Sequence, residues 1–367
     1  LDLENKKAPD YILLFVVITL MLIGLIMILS ASSIRALADY NDSFYLFRHQ
    51  LLWSVIGILA MIFFMNLDYQ IYQKYARLIL ILTILGLLIV LIPGIGRVAG
   101  GSRRWIIFGP IRIQPSELAK LGMVIYLSQY FARKGEKVKD FLEGLLPPLI
   151  ILGIVFLLIL LEPDLGTAIT IAGTVFLMLF VAGARYAHLG LLILVSVPLL
   201  LFFIIREDYR RERLFSFLDP WSDPLDTGYH IIQSLLALGS GGIFGVGLGQ
   251  SKQKFLYLPE PGTDFIFAII GEELGLIGTL LVLFLFFLFA WRGLKIALNV
   301  PDLFGSLLAT GISSMVILQA LINIAVVTSS MPITGITLPF ISYGGTSLVI
   351  MLSSVGILLN ISRYALE

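Results

Sequence analysis

Long apolar runs separated by short polar breaks organise this chain. Ten of them are evident, at 11–31, 51–66, 78–93, 116–132, 146–161, 167–184, 189–205, 264–290, 304–327 and 345–361. A helix needs roughly 17–25 apolar residues to cross a hydrocarbon core of about 30 Å. Each run is therefore expected to span a bilayer, with 51–66, 78–93 and 146–161 extending into their flanks. The pattern predicts an all-α polytopic membrane protein of about ten transmembrane helices, one domain over residues 1–367. A large polar insert at 206–263 separates the seventh and eighth runs. It holds Trp221-Ser-Asp-Pro224, Gln233, a glycine run from Gly239 to Gly249, and Tyr257-Leu-Pro-Glu-Pro-Gly-Thr-Asp264. Lipid tolerates irregular backbone only where protein or water shelters it, so chemistry at the membrane surface is expected in this insert. Within it, Ile231 to Leu238 suits a short interfacial helix. The stretch 330–345 is rich in turn formers yet apolar, which fits either a re-entrant segment or a tight outer loop.

Composition narrows the function classes. Hydrophobic residues make up 58% and charged residues 13%, with a mean hydropathy of +0.98. Net charge is +1, which argues against nucleic acid as a partner. There is no cysteine and there are only three histidines, so thiolate chemistry and His-based metal cages are disfavoured. The first run lacks a small-residue cleavage site and reads as a retained span. No internal repeat is visible, which weighs against an inverted-repeat transporter.

Sidedness follows the basic residues. With the 206–263 insert and Lys120 set aside, an N-terminus inside places Lys and Arg on the inner side two to one, in keeping with the positive-inside rule. Both termini are then cytoplasmic. The remaining outer positives are all arginine: Arg35, Arg48, Arg97, Arg103, Arg104 and Arg112. A guanidinium fork suits bidentate phosphate or carboxylate contacts. Surface pairing with Asp39, Asp42 or Glu117 is the plainer explanation for any one of them.

Several constellations can carry chemistry. Gln114-Pro-Ser116 marks a helix start, so Glu117 falls in a first turn and Lys120, at i+3, can pair with it. That pair either locks the fourth span or serves a polar site. Glu162-Pro-Asp164-Leu-Gly-Thr167 joins two spans, and its acids can cap the second. The glycine run lacks both nucleotide fingerprints, but its glycines would let backbone approach a ligand closely. Asp264 follows Thr263, a good N-cap, and is expected in a first helical turn. The helix dipole there would lower its pKa. It is either a cap or an ionised base. Glu272 and Glu273 lie deeper in the same run, about 100° apart on the helix, and are not expected to face one partner.

Taken together, Gly101-Ser-Arg-Arg-Trp105, Ile113-Gln-Pro-Ser-Glu-Leu-Ala-Lys120, Glu162-Pro-Asp-Leu-Gly166, Gly228-Tyr-His-Ile-Ile-Gln-Ser234, Tyr257 to Phe267, Gly271-Glu-Glu-Leu-Gly275 and Pro339-Phe-Ile-Ser-Tyr-Gly-Gly345 resemble the SEDS family (shape, elongation, division and sporulation). Within it they resemble the FtsW/SpoVE branch, with RodA as a more distant relative. The resemblance implies a membrane-embedded glycosyltransferase that polymerises lipid II on the outer face of the bacterial cytoplasmic membrane, beside a class B penicillin-binding protein that crosslinks the strands. It assigns catalysis to Asp264, as the base of an inverting transfer. Substrate contacts are expected from Arg103, Arg104, Trp105, Arg112, Glu117, Lys120, Gln233, Glu260 and Ser342. A divalent cation, magnesium or manganese, would be an optional aid; no other cofactor is implied. Gly262 before Thr263 and Tyr229-His230 depart from the family's usual residues. The alternatives are a lipid II flippase, using Glu272, Glu273 and Lys120 along a polar path, and a scaffold that recruits the transpeptidase.

Overall fold

The computed structural model describes residues 7–99, 102–109, 111–255 and 257–366. Every expected run coincides with a helix: α1 (Tyr11–Tyr40), α2 (Tyr45–Asn66), α3 (Gln70–Leu91), α4 (Pro115–Lys134), α5 (Leu146–Leu161), α6 (Leu165–Val181), α7 (Tyr186–Arg206), and, beyond the insert, α10 (Ile266–Asn299), α11 (Leu303–Val327) and α12 (Gly345–Ser362). The insert itself contributes α8 (Asp208–Leu218) and α9 (Tyr229–Gly241), the latter enclosing the expected interfacial helix. Among the described residues, eight helices are long and apolar enough to cross a membrane, with α5 extended back to Phe141 as Phe141–Leu161. The α6 helix is apolar but shorter. The α4 helix carries Glu117, Lys120, Arg133 and Lys134.

One element is not signalled by the apolar runs. Between α3 and α4, strands β1 (Gly96–Ala99), β2 (Ser102–Phe108) and β3 (Ile111–Ile113) form an antiparallel sheet in that order. Its middle strand is aromatic and β-branched and is bounded in sequence by Gly-Gly and Gly-Pro pairs, a hairpin pattern too short to register among spans.

The core is centred on α11 and α12, each buried over about two-thirds or more of its most apolar stretch, whereas α7 buries only Leu189. The segment 331–344 has no regular structure, yet Ile336, Leu338, Phe340 and Ile341 are buried. It enters the bundle far enough for the Ile341 backbone to lie against Gly24 of α1. This is the protected irregular segment that lipid requires.

The glycine run plays a different part from the one expected. Helix α10 breaks at Gly275 (φ 66°, ψ −161°), and residues 242–247 fill the break. Leu276 N donates to Gly242 O, Ile277 N to Ile243 O, Val246 N to Glu272 O and Gly247 N to Glu273 O. A Cβ on Gly245 would sit 2.1 Å from Glu273 O, and one on Gly275 would sit 2.3 Å from Gly245 N. The glycines thus let backbone approach backbone and satisfy the groups freed by the kink.

The following residues answer Glu272 and Glu273 together, contrary to the expectation that these would not share a partner. Ser251 Oγ and the Lys252 amide donate to Glu272, while the Ser251 amide (3.3 Å), Lys254 Nζ (3.1 Å) and Ser30 Oγ (2.6 Å) reach Glu273. Residues 100° apart on a helix cannot meet one side chain, but a loop can wrap to both.

Candidate active site

Asp264 lies in the turn before α10. That helix is entered at Phe265 without a side-chain cap. Thr263 is not the cap: its hydroxyl donates to the Glu260 carboxylate at 3.1 Å. Asp264 is therefore outside the first turn, one residue ahead of the N-cap position. Its charge also differs from the expectation. Asp264 keeps part of its surface accessible, but dense packing and the nearby Glu260 carboxylate push its pKa up to about 6, against the opposing pull of Arg213 and Arg104.

Three segments hold this turn. From α11, Asn323 Nδ2 donates to the Asp264 carbonyl at 2.7 Å and to the Ile336 carbonyl at 2.7 Å. From the buried segment, Ser342 Oγ donates to Thr263 O at 2.6 Å and accepts from the Leu338 amide, while Tyr343 N donates to Gly262 O. Gly335 lies against the Asp264 carboxylate. From α9, His230 stacks on Phe265 with ring centroids 5.9 Å apart. Glu260 adopts a left-handed backbone (φ 51°) and pairs with Arg35 of α1 at 2.8 Å.

Charge is distributed around the carboxylate. Arg104, from β2, donates Nε to the Glu162 carbonyl at 3.0 Å, also reaches the Pro163 carbonyl, and lies 3.9 Å from Asp164. Arg213, from α8, donates to the Ile333 carbonyl at 3.2 Å and stacks on Tyr209. Asp164 caps α6 through the Thr167 amide at 3.1 Å, as expected of one of the two acids. Glu162 does not cap. It is fully buried, neither carboxylate oxygen finds a hydrogen bond among the described residues, and burial beside Asp164 pushes its pKa up to about 9.

The other sequence-selected residues fall at varying removes. Lys120 and Glu117 pair at 2.8 Å inside the bundle. The pair continues a buried polar chain: Ser347 Oγ donates to Glu117, Lys120 to Gln319 Oε1 at 2.5 Å, and Gln319 to the Thr337 carbonyl. It touches the segment that holds Asp264 rather than Asp264 itself. Arg103 turns back to the Leu91 carbonyl at 3.1 Å. Trp105 pairs in register with Arg97. The exposed Arg112 guanidinium has no acidic partner among the described residues, and its carbonyl accepts from Thr346. The side chain of Gln233, half-buried on α9, makes no hydrogen bond among the described residues. Ser342 is committed to backbone.

Asn323, Gln319, Arg213 and His230 were not selected from sequence. Gln319 and Asn323 did leave a signal, since two amides at i, i+4 in an apolar helix are costly unless they serve the interior. Among the described residues no three His, Asp or Glu side chains converge as a metal cage. Glu260 is engaged by Arg35 and Thr263, and Asp164 by the Thr167 amide and hydroxyl, so neither carboxylate is a free ligand for a divalent cation.

A family model described as cell cycle protein, covering FtsW, RodA and SpoVE, matches residues 10–367. Stage V sporulation protein E of Bacillus subtilis is 50% identical over 361 residues, 98% of this chain and 99% of its own. A probable peptidoglycan glycosyltransferase FtsW of Geobacter metallireducens is 44% identical, covering 99% and 96%. Among solved structures, a chain from a peptidoglycan synthase complex that coordinates polymerization and crosslinking superposes with a TM-score of 0.80 at 30% identity, over 97% and 98% of the two chains. The rod shape determining protein RodA of Thermus thermophilus gives 0.73 at 28%, over 99% of each.

Proposed function

This chain belongs to the FtsW/RodA/SpoVE family of cell cycle proteins, and from that premise we propose that it is a peptidoglycan glycosyltransferase polymerising lipid II at the outer face of the bacterial cytoplasmic membrane. The observation that carries the proposal is the setting of Asp264: a partly accessible carboxylate with a pKa of about 6, influenced by two arginines. Ordinary aspartate, with its pKa near 4, is a weak base. A value near 6 leaves the group mostly ionised at neutral pH and makes it a better proton acceptor.

In the proposed step Asp264 accepts the proton of the acceptor sugar's 4-hydroxyl. The freed oxygen attacks the anomeric carbon of the donor, forming the new glycosidic bond. The bond from that carbon to the diphosphate oxygen breaks, and the undecaprenyl diphosphate leaves with the electron pair. Displacement in one step inverts the anomeric centre. Arg104, Arg213 and the unpaired Arg112 stabilise the charge that develops on the diphosphate. Arg103 and Lys120, held by backbone and by Glu117, support the scaffold around them. A class B penicillin-binding protein is the proposed partner, by analogy with the synthase complex that this chain resembles.

Transport of lipid II is the weaker reading. Glu272, Glu273 and Lys120, which would line a polar path, are at most 3% exposed and are each satisfied within the protein. The deciding experiment incubates purified protein with lipid II and resolves the products by gel. Asp264→Asn, of the same size, is expected to fold and make no glycan strand. Full polymerisation by this variant overturns the assignment of the base.

A further inference from the structure

At the end of the bundle opposite Asp264, between α3 and α4, lies a cavity of ≈ 440 Å³ lined by Arg77, Leu80, Ile81, Tyr126, Gln129, Tyr130, Arg133 and Lys134. It is the end where the chain termini meet, since Lys7 N donates to Arg363 O and Tyr69, just ahead of α3, donates to Asn360 near the end of α12. Gln129 is twelve residues along α4 from Glu117, about 18 Å at 1.5 Å per residue, so the cavity is separate from the site described above.

Its charge is uncompensated among the described residues. Among the described residues, none of Arg77, Arg133 and Lys134 has a carboxylate within 4.0 Å. The acids next along the chain are engaged elsewhere: Glu136 and Glu143 pair with Lys139 and Lys137, and Asp140 accepts from the Glu143 amide at 2.8 Å. Lys134 lies over the Tyr130 ring, 5.7 Å from its centroid. The buried Gln129 amide, with its oxygen turned to Arg133, accepts from Nε at 3.0 Å and steadies that guanidinium at the cavity wall. Three cations around one hollow repel one another unless an anion joins them.

The lining is also graded. Arg77, Arg133 and Lys134 sit at the end of the bundle. Ile81 lies one turn further in than Arg77, and Tyr126 two turns further in than Arg133. The Ile81 face of α3 is lipid-facing in character, with Leu78, Ile81 and Leu82 all more than half exposed. Cationic groups at the rim, tyrosines at the level of an interface and aliphatic side chains below match an amphiphile with a negative head.

We infer that this cavity binds the phosphate headgroup of one anionic phospholipid, its acyl chain running along the Ile81 face of α3. A soluble phosphate would use the cations but not the aliphatic wall.

Native mass spectrometry of the full chain, released from bilayers containing phosphatidylglycerol or phosphatidylcholine, tests the inference. The wild type is expected to retain one phosphatidylglycerol under activation that strips phosphatidylcholine. The triple variant Arg77→Gln/Arg133→Gln/Lys134→Gln should lose that retention at least tenfold, while Lys74→Gln/Lys137→Gln/Lys139→Gln, at the same end but outside the cavity, should keep it. Thermal unfolding in phosphatidylcholine establishes that the triple variant is folded. If it is not, Arg77→Gln alone, on an exposed helix face, must weaken retention. Equal retention by the cavity variants and the wild type, or equal retention of the two lipids, overturns the site. Displacement of phosphatidylglycerol by millimolar inorganic phosphate overturns the lipid assignment.

Discussion

The Asn323 side chain donates from one nitrogen to the Asp264 carbonyl and to the Ile336 carbonyl, each at 2.7 Å. It thereby joins the turn that carries the proposed base to the buried segment 331–344 that backs it. Asn323→Leu removes both bonds and leaves two carbonyls without a donor in the interior. Glycan synthesis is expected to fall ~10–100-fold with lipid II affinity within a few-fold, as for a positioning residue whose loss misplaces the reacting group. Equal damage to affinity and rate would point to general unfolding instead.

The acid limb of the pH–activity profile should report Asp264. Its carboxyl titrates at about 6, so activity is expected to be full above that value and to fall with one proton as pH drops through it. Glu260 raises this pKa and Arg104 and Arg213 lower it. Glu260→Gln should therefore move the limb to lower pH, and Arg213→Gln to higher pH. A profile indifferent to both substitutions would separate the limb from Asp264.

Glu162 should make stability depend on pH. The folded chain holds its proton to about pH 9, against about 4.5 for a free carboxyl. Between those values the folded state binds more protons than the unfolded, so stability falls as pH rises through the window. In Glu162→Gln that loss is absent. Unfolding temperatures of the two proteins should converge near pH 5 and diverge toward pH 9, with the variant higher; parallel curves would show that the carboxyl is not held neutral.

Breaking the Lys120–Glu117 pair from one side strands a charge inside the bundle. Lys120→Met or Glu117→Gln alone is expected to cost about 3–5 kcal/mol, and the double variant less than the sum of the two. Additive losses in chemical unfolding would mean that the two residues do not act as a unit.

The break in α10 offers a contrast among glycines. Gly275→Ala and Gly245→Ala each combine positive φ with a backbone clash and are expected to cost more than about 3 kcal/mol. Gly249→Ala has positive φ but open space around it and should cost only about 1–2 kcal/mol. Similar losses at all three positions would make conformational strain, not the close approach, the dominant cost.

Ten helices could be read from the chain because hydrophobic length is a local property: each run carries its own requirement to leave water, whatever surrounds it. The Glu117–Lys120 pair was equally legible, since three residues on a helix bring two side chains to one face. Composition and spacing could not show that the glycine run fills the gap at Gly275, or that Ser251 serves both Glu272 and Glu273. These contacts join segments far apart in sequence, and no local pattern encodes them. Asp264 illustrates the division most clearly. The chain by itself determined that an aspartate stands where an apolar helix leaves the polar insert. Only the tertiary structure decided that the helix begins after it, and that packing and Glu260 raise its pKa against the opposing pull of Arg104 and Arg213. The charge state of a group depends on the water it loses and the charges it meets, and both are set by how distant segments pack.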